Sequence, residues 1–440
     1  MSHQRMTTET VDSRASLCLN VAEPLIEECE GCLVMKTGLK PEHQAIVDKC
    51  RELAERFRPR AARYDETGEF QTENFEEIKA AGLMGIMVPS EYGGLGADFL
   101  CYTLAVEELA RGDASTALNF TQHNITIGSL AAFDLGGLKD TPMEFVAERR
   151  RRMLERVAKR QEIVAAATTE LGTGFRPSHA QTRYKRTATG FVLNGMKSFV
   201  SMTGYVDHYL VAASSERSTG GHPSVSYFVV DAKTPGLSIK GGWNACGMRA
   251  TASNHLILEN CQVPEESLLA GVAGTAIQHL VKLPHWAVGG FNGVYLGICD
   301  SILEFTISYL NGRTKAGEPK PLSNNDIIQH EVGKLSVALE ATRAVVYDAA
   351  ERVSRDPGSA EANMAIYRAK YLVGETAPQM ASDAMRICGG NTIRKEFPLE
   401  RYYRDARCGG LMGAPSDVCL TYVGKAVLGI DVGTVSGTHW

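Results

Sequence analysis

Cys388-Gly389-Gly390-Asn391-Thr392-Ile393-Arg394-Lys395-Glu396-Phe397-Pro398-Leu399-Glu400-Arg401-Tyr402-Tyr403-Arg404-Asp405-Ala406-Arg407, running on through Cys408-Gly409-Gly410-Leu411-Met412-Gly413-Ala414-Pro415-Ser416, is the stretch on which the fold turns. A long helical pattern at about 360–388 leads into it, and another fills about 326–355. Further upstream, Trp286 to Leu310 is apolar on nearly all sides, the pattern of a helix buried inside a bundle or oligomer. Antiparallel neighbours of this length predict a four-helix bundle over 271–440.

N-terminal to the bundle the grammar changes twice. From about 163 to 270 it is that of strands: His208–Ala212, Tyr227–Val230 and His255–Leu258 are short β-type runs between Gly, Ser and Pro turns. Gly190 to Val200 places Asn194-Gly195 between two such runs, which predicts a hairpin. This third reads as a small β-barrel or sandwich. Residues 41–162 are helical, with Ile46, Leu53, Phe57, Phe75, Ile78, Leu83, Leu104 and Leu109 at helix spacing and the glycine-rich Pro89–Ala97 as a break. Residues 1–40 carry no sustained periodicity and read as an arm or short peripheral helix. The class is α+β: helical domain, central β-domain, helical bundle.

The 440 residues are 44% apolar and 22% charged, ordinary for a soluble globular protein, with a formal net charge of −5. That balance offers no field to gather nucleic acid or an anionic membrane, and neither is expected as a partner. No wholly apolar run approaches the ~20 residues that span a bilayer. Eleven scattered cysteines suggest reduced thiols in a cytoplasm. Cys29-x-x-Cys32 has no second CxxC or CxxH beside it, so no metal is expected.

Four segments in order resemble the acyl-CoA dehydrogenase superfamily: PSEYGGLGAD with the following Glu107-Glu108, TTELGTG, LNGMKSFVS, and CGGNTIRKEFPLERYYRDAR. The resemblance implies a helical domain, a β-domain and a four-helix bundle, with a flavin between the last two and a homotetramer as the assembly. Thr169 and Gly174 fall where the family backbone lines the flavin; the plainer reading is a turn. The family Ser-Asp that follows is Phe175-Arg176 here. Phe199 and Ser201 take the places of an aromatic beside the isoalloxazine and a hydroxyl near its N5; the plainer reading of Ser201 is a strand serine bonded to its own backbone. Arg313 matches an arginine that reaches the FAD pyrophosphate across a subunit boundary, a task suited to guanidinium. Gly389-Gly390 match a flavin loop. Departures at Lys315-Ala316, Arg386, Pro415 and Asp417 leave FAD or FMN open.

Where the family writes Tyr-Glu-Gly-Thr, this chain has Met412 and Gly413, so the catalytic base is missing. Losing a positioned base costs roughly 10²–10⁴ in rate. Some relatives carry the base on the buried helix instead, where Ala287 stands here. Asp417 lies one helical turn on as a remote substitute. KSFVSMTGYVDHY and RDARCGGLM look closer to the flavin monooxygenase branch, which includes sugar nitrososynthases and dibenzothiophene-type oxygenases. In that branch a histidine on an N-terminal-domain helix faces the flavin, which suggests His123 as proton donor or relay, against the plainer reading of a satisfied core histidine. His285, Trp286, Arg249, Met412 and Gly413 are the candidate substrate-pocket residues.

The function this implies is a two-component monooxygenase. A separate flavin reductase would supply reduced flavin, and O2 would form a C4a-hydroperoxide that oxygenates a small molecule, with an amine (N-hydroxylation) as the candidate. A dehydrogenase of acyl-CoA or acyl-carrier-protein thioesters with a relocated base, and a catalytically silent scaffold, are the alternatives. No nucleotide fingerprint for NAD(P)H follows any strand, which is why the reductase is expected as a partner.

Overall fold

The computed structural model describes residues 39–132, 144–173, 176, 179–216, 225–269 and 273–434. Five helices come first: α1 (Pro41–Thr67), α2 (Thr72–Ala80), α3 (Phe99–Gly112), α4 (Ala114–Ala131) and α5 (Glu144–Arg160). The Pro89–Ala97 break is a short 3-10 turn, Ser90–Tyr92, within a loop. Asp98 then caps α3 by accepting from the Cys101 N–H at 2.8 Å, and Asp113 caps α4 through the Ser115 and Thr116 N–H groups at 3.3 Å.

Seven strands follow: β1 (Val164–Ala167), β2 (Arg183–Arg186), β3 (Gly190–Val200), β4 (His208–Ser215), β5 (Val225–Asp231), β6 (Leu237–Lys240) and β7 (Asn254–Pro264). They form one sheet in the order β1-β4-β2-β3-β7-β6, with β5 paired to β4. β1 runs parallel to β4, Val164 facing His208, and β3 runs antiparallel to β7, Phe191 facing Val263. Tyr184, Phe191 and Phe228 fill the inner face, their ring centroids 5.0–5.9 Å apart.

The Asn194-Gly195 hairpin is not there. β3 continues through the pair, which forms an irregularity in the β3–β7 register between Leu193 and Gly195. The Asn194 side chain accepts from the Asn260 N–H at 2.7 Å. Gly195 lets Thr182 come so near that a Cβ would lie 2.6 Å from its Oγ1. The dipeptide bends a long strand instead of ending it.

The last third contains α6 (Ala276–Lys282), α7 (His285–Gly289), α8 (Asn292–Gly312), α9 (Asp326–Arg355), α10 (Ala360–Cys388), α11 (Leu399–Arg407) and α12 (Ser416–Val427). His285–Gly312, spanning α7 and α8, is the one helical stretch among the described residues with the length and apolar character to cross a membrane, and 61% of its most apolar window is buried in the protein. It is the bundle's core helix. Gly293 and Gly297 on α8 meet α3 so closely that side chains there would begin 2.4 Å from the Thr103 carbonyl and 2.3 Å from that of Glu107. The Glu107-Glu108 pair divides its work across the same seam. Glu107 points inward, accepting from the Tyr347 hydroxyl at 2.7 Å beside Arg343, while Glu108 pairs with Arg51 at the surface.

One of the places at which helices and sheet are joined lies at α11. Arg404 of α11 grips Asp65 of α1 with two nitrogens at 3.0 and 2.6 Å and also donates to the Cys246 carbonyl at 2.8 Å. Next to it, Asp405 accepts from the Met248 N–H at 2.6 Å. Burial pushes the Asp405 pKa up to about 7 from 3.8. A carboxyl raised on folding stabilises fully below its unfolded pKa and loses that contribution as pH rises to the folded value. Asp405→Asn, which keeps an acceptor for Met248, is therefore expected to flatten the stability loss of the wild type between pH 3.8 and about 7; urea titrations across that range check it.

Candidate flavin site at the sheet–bundle junction

Six non-glycine residues with positive φ occur among the described residues, and four of them, Phe199 near the end of β3 and Met202, Met248 and Ala252 beyond the strands, lie on two segments that pack together. The Met202 and Thr203 N–H groups donate to the Thr251 and Ala252 carbonyls at 2.8 and 3.2 Å. Left-handed backbone costs such residues of order 1–3 kcal/mol each, and concentrations of it mark functional loops. The strain has a visible product: Phe199 is turned outward and half exposed, with the Trp243 ring edge-on at 6.2 Å. Trp243 is fixed by its Nε1–H on the Met248 carbonyl at 2.8 Å.

Ser201, two residues on, is buried and its Oγ lies 2.9 Å from Ser253 Oγ. Ser253 is 2.8 Å from Thr251 Oγ1, which donates to the Met248 carbonyl at 2.9 Å. Three hydroxyls thus stand in a row behind Phe199. Thr169 comes alongside because its carbonyl accepts from the Ser198 N–H at 2.9 Å. The next residue, Glu170, holds that approach from inside by accepting from Gln181 N–H, Thr182 N–H and Lys197 Nζ at 2.5, 2.9 and 2.5 Å. Burial opposes its charge, yet these donors, Lys197 foremost, keep its carboxylate below the ordinary range. Gly174 lies outside the described residues.

The bundle carries the other candidate positions. After α11 the chain makes a 3-10 turn, Cys408–Gly410, tied down by Lys370 Nζ donating to the Gly409 carbonyl at 2.5 Å. It then reaches half-buried Met412 and Gly413. Gly413 has φ +66°, and a Cβ there would lie 2.9 and 3.0 Å from the Phe291 ring and 3.3 Å from the Ala287 carbonyl. The two positions at which a base was sought by resemblance therefore lie side by side, and the Phe291 ring packs against Gly413. Asp417 is exposed in the first turn of α12.

Other candidates land elsewhere. His123 is not available for proton transfer: Nδ1 accepts from the Val164 N–H at 3.0 Å and Nε2 binds the Met84 carbonyl at 2.8 Å. It is a core staple between α4, β1 and the Leu83–Gly85 turn, with its pKa pushed down by burial to about 4. Arg249 is likewise withdrawn from any substrate pocket, since its guanidinium donates to the Asp65 and Ala245 carbonyls at 2.8 and 3.0 Å. His285 and Trp286 are buried against Phe99, and Trp286 presses onto α4 at Gly128. Both keep a buried nitrogen, Nδ1 and Nε1, without a hydrogen-bond partner. Burial pushes the His285 pKa down to about 3.

Arg313 is exposed at the end of α8, and with the Asn391 amide oxygen turned toward it, its two terminal nitrogens donate at 3.1 and 2.6 Å. Gly389 and Gly390 open the same turn, and nothing lies within 4 Å of where their side chains would begin. A half-exposed aromatic and a hydroxyl with one partner on the sheet, and an open glycine turn beside a surface guanidinium on the bundle, are each of a kind that suits a flavin nucleotide. Thr251, Ser253, Trp243 and Phe291 were not singled out from sequence; the closely spaced hydroxyls of Arg249-Ala250-Thr251-Ala252-Ser253 were the available signal.

A histidine neutral through burial stabilises above its unfolded pKa and loses that as pH falls toward the folded one. His123→Gln is expected to lower the melting temperature and to reduce the acid sensitivity between 6.5 and about 4. It should leave flavin affinity within about twofold, as a residue away from the site does; thermal scans and flavin fluorescence titration check it.

Residues 40–135, 165–261 and 291–428 match the N-terminal, middle and C-terminal domains of acyl-CoA dehydrogenases. The mitochondrial short-chain specific acyl-CoA dehydrogenase of Bos taurus is 30% identical over 383 residues, 86% of this chain and 88% of that protein. Butyryl-CoA dehydrogenase from Megasphaera elsdenii has a TM-score of 0.78 at 25% identity, covering 89% of this chain and 99% of that one. A nitrososynthase from Micromonospora carbonacea var. africana has a TM-score of 0.76 at 27% identity, over 89% and 98%. Matched through all three domains by a family of flavin oxidoreductases, the chain belongs to the acyl-CoA dehydrogenase superfamily.

Proposed function

We propose that this protein is a flavin-dependent monooxygenase acting on a small molecule with a nucleophilic atom, an amine foremost. The observation that carries the reading is the contact of Gly413 with Phe291 and Ala287. Dehydrogenation α to a thioester needs a carboxylate beside the substrate carbon while hydride departs. Neither inherited place for it carries a carboxylate, Gly413 standing at one and Ala287 at the other, and the Phe291 ring crowds the first. The likeness to a nitrososynthase supports oxygen transfer to nitrogen.

Reduced flavin supplies two electrons so that one oxygen atom of O2 enters the substrate and the other leaves as water. The chain's own share is placement and exclusion of water. Phe199 and Trp243 would flank the ring system, Thr169 its edge, and Ser201 its central nitrogen. Gly389, Gly390 and Arg313 would receive the phosphate end of FMN or FAD, with Arg313 serving its own or a neighbouring subunit. Phe291, Met412 and buried Trp286 would keep the substrate side dry, which matters because water promotes loss of oxygen as hydrogen peroxide.

A separate reductase would deliver the flavin. Exposed Ile327 and Val337 on α9 and Leu420, Val427 and Leu428 near the chain end support association into a homotetramer. Free thiols at the described cysteines suit a cytoplasmic setting.

The dehydrogenase reading draws on the 30% identity to a short-chain enzyme and requires a base from another element. Anaerobic addition of butyryl-CoA to protein loaded with oxidised flavin separates the two. The absorbance is expected to stay, and bleaching would overturn the oxygenase. With reduced flavin and O2, hydrogen peroxide release is expected to fall when a true amine substrate is present.

Gly413→Glu would not restore dehydrogenation. A side chain at positive φ costs about 1–2 kcal/mol, and displacing Phe291 adds about 1–3 kcal/mol. A stability loss of about 2–5 kcal/mol by urea titration, without butyryl-CoA oxidation, is the expected outcome.

A further inference from the structure

Arg401 of α11 is 8% exposed, and among the described residues neither a hydrogen-bond acceptor nor an ion-pair partner reaches its guanidinium. It lies over the Tyr402 ring, 5.4 Å from the centroid, and feels the charges of Asp113 and Asp405 from beyond contact. Both carboxylates are engaged, Asp113 with the first turn of α4 and Asp405 with the Met248 N–H. Its neighbour Arg404, by contrast, holds Asp65 and Glu400. A cation this deeply buried is rarely left without an acceptor. One from outside the chain would complete it.

The same side chain lines a cleft of about 420 Å³ between α1, α8 and α11. Ser301, Phe305 and Ser308 present one face of α8 to it, at the spacing of successive turns. Arg58 enters from α1 and Lys395 from the turn before α11. Two carboxylates line the cleft as well, and each already has a cation: Glu304 has Arg111, and Glu396 has Arg394 at 2.6 Å. Lys395 pairs with Glu66. Arg58 reaches Glu304 and Glu55 only at 3.4–3.5 Å and keeps a buried Nε without a partner. The charge left over in the cleft is therefore positive, set beside hydroxyls and two aromatic rings. We infer that the cleft binds a small organic oxyanion, with its phosphate or carboxylate on Arg401 and Arg58 and its apolar part on Phe305 and Tyr402. Guanidinium suits either group through paired N–H donors. Arg313, Gly389 and Gly390 do not line the cleft, so the site is separate from the candidate flavin position.

Titration of inorganic phosphate and of phenyl phosphate, followed by calorimetry and by melting temperature against chloride at matched ionic strength, tests it. Wild type is expected to bind both saturably, phenyl phosphate severalfold tighter because its ring gains apolar contact. Arg401→Gln removes a charged hydrogen-bond donor and should weaken phenyl phosphate roughly tenfold or more. Ser308→Glu sets a like charge at an exposed position of the cleft wall. It should weaken binding severalfold with the melting temperature of the unliganded protein unchanged. Arg313→Gln should leave the affinity within about twofold, as a residue outside the cleft does. No saturable response in wild type, or a response that Ser308→Glu or a folded Arg401→Gln leaves intact, would overturn the inference. So would loss of the response in Arg313→Gln, which would put the phosphate at the candidate flavin position instead.

Discussion

The peptide of Met248 is held at both ends, and the arrangement of the site follows from that. Its N–H is fixed by Asp405 of the bundle, and its carbonyl by Trp243 and Thr251 of the sheet loops. Left-handed geometry at Met248 turns these two groups to separate partners. Arg404 reinforces the joint from the side, using Asp65 of the first helix as a planar two-point partner. All three domains therefore meet within two residues of Asp405. A buried hydrogen bond contributes about 0.5–1.5 kcal/mol, more to a charged partner, and leaving the Met248 N–H bare would cost about 1–3 kcal/mol. The joint is thus a strong constraint on how the sheet lies against α11.

The second wall is governed by volume. Lys370 on the Gly409 carbonyl holds the turn after α11 against the bundle core, and Gly413 follows in a backbone conformation that favours glycine. Phe291 occupies the room a longer side chain would need. A longer side chain at residue 413 therefore requires Phe291 to move. Gly413 and the ring form one packing unit, and close-packed interiors resist altering half of such a unit.

The fold was legible because each third of the chain has its own period: helical spacing in 41–162, short alternating runs after 163, and long apolar helices in the bundle. Local misreadings came where a residue's partner was distant in sequence. Asn194-Gly195 carries turn chemistry, but Asn260 and Thr182 arrive from other strands and make it a bend within β3. His123 looked available on its helix until Met84 and Val164 claimed both nitrogens. Arg249 reads as a pocket cation, yet backbone carbonyls of Asp65 and Ala245 hold it. Buried Lys197 and Glu170, 27 residues apart, make the ion pair that keeps Thr169 beside β3, and no local pattern announces such a pair.

The base position at Gly413 and the hydroxyl row of Ser201, Ser253 and Thr251 are independent in structure. One lies on the bundle and is a matter of volume, because the Phe291 ring stands where a longer side chain at 413 would begin. The other lies on the segments around Met248 and is a matter of hydrogen bonding: the Met248 carbonyl takes the Trp243 Nε1–H and the Thr251 hydroxyl, and Ser253 links Thr251 to Ser201. A change in the first leaves the partners of the second untouched, so the missing carboxylate by itself says nothing against the sheet side of the candidate flavin site.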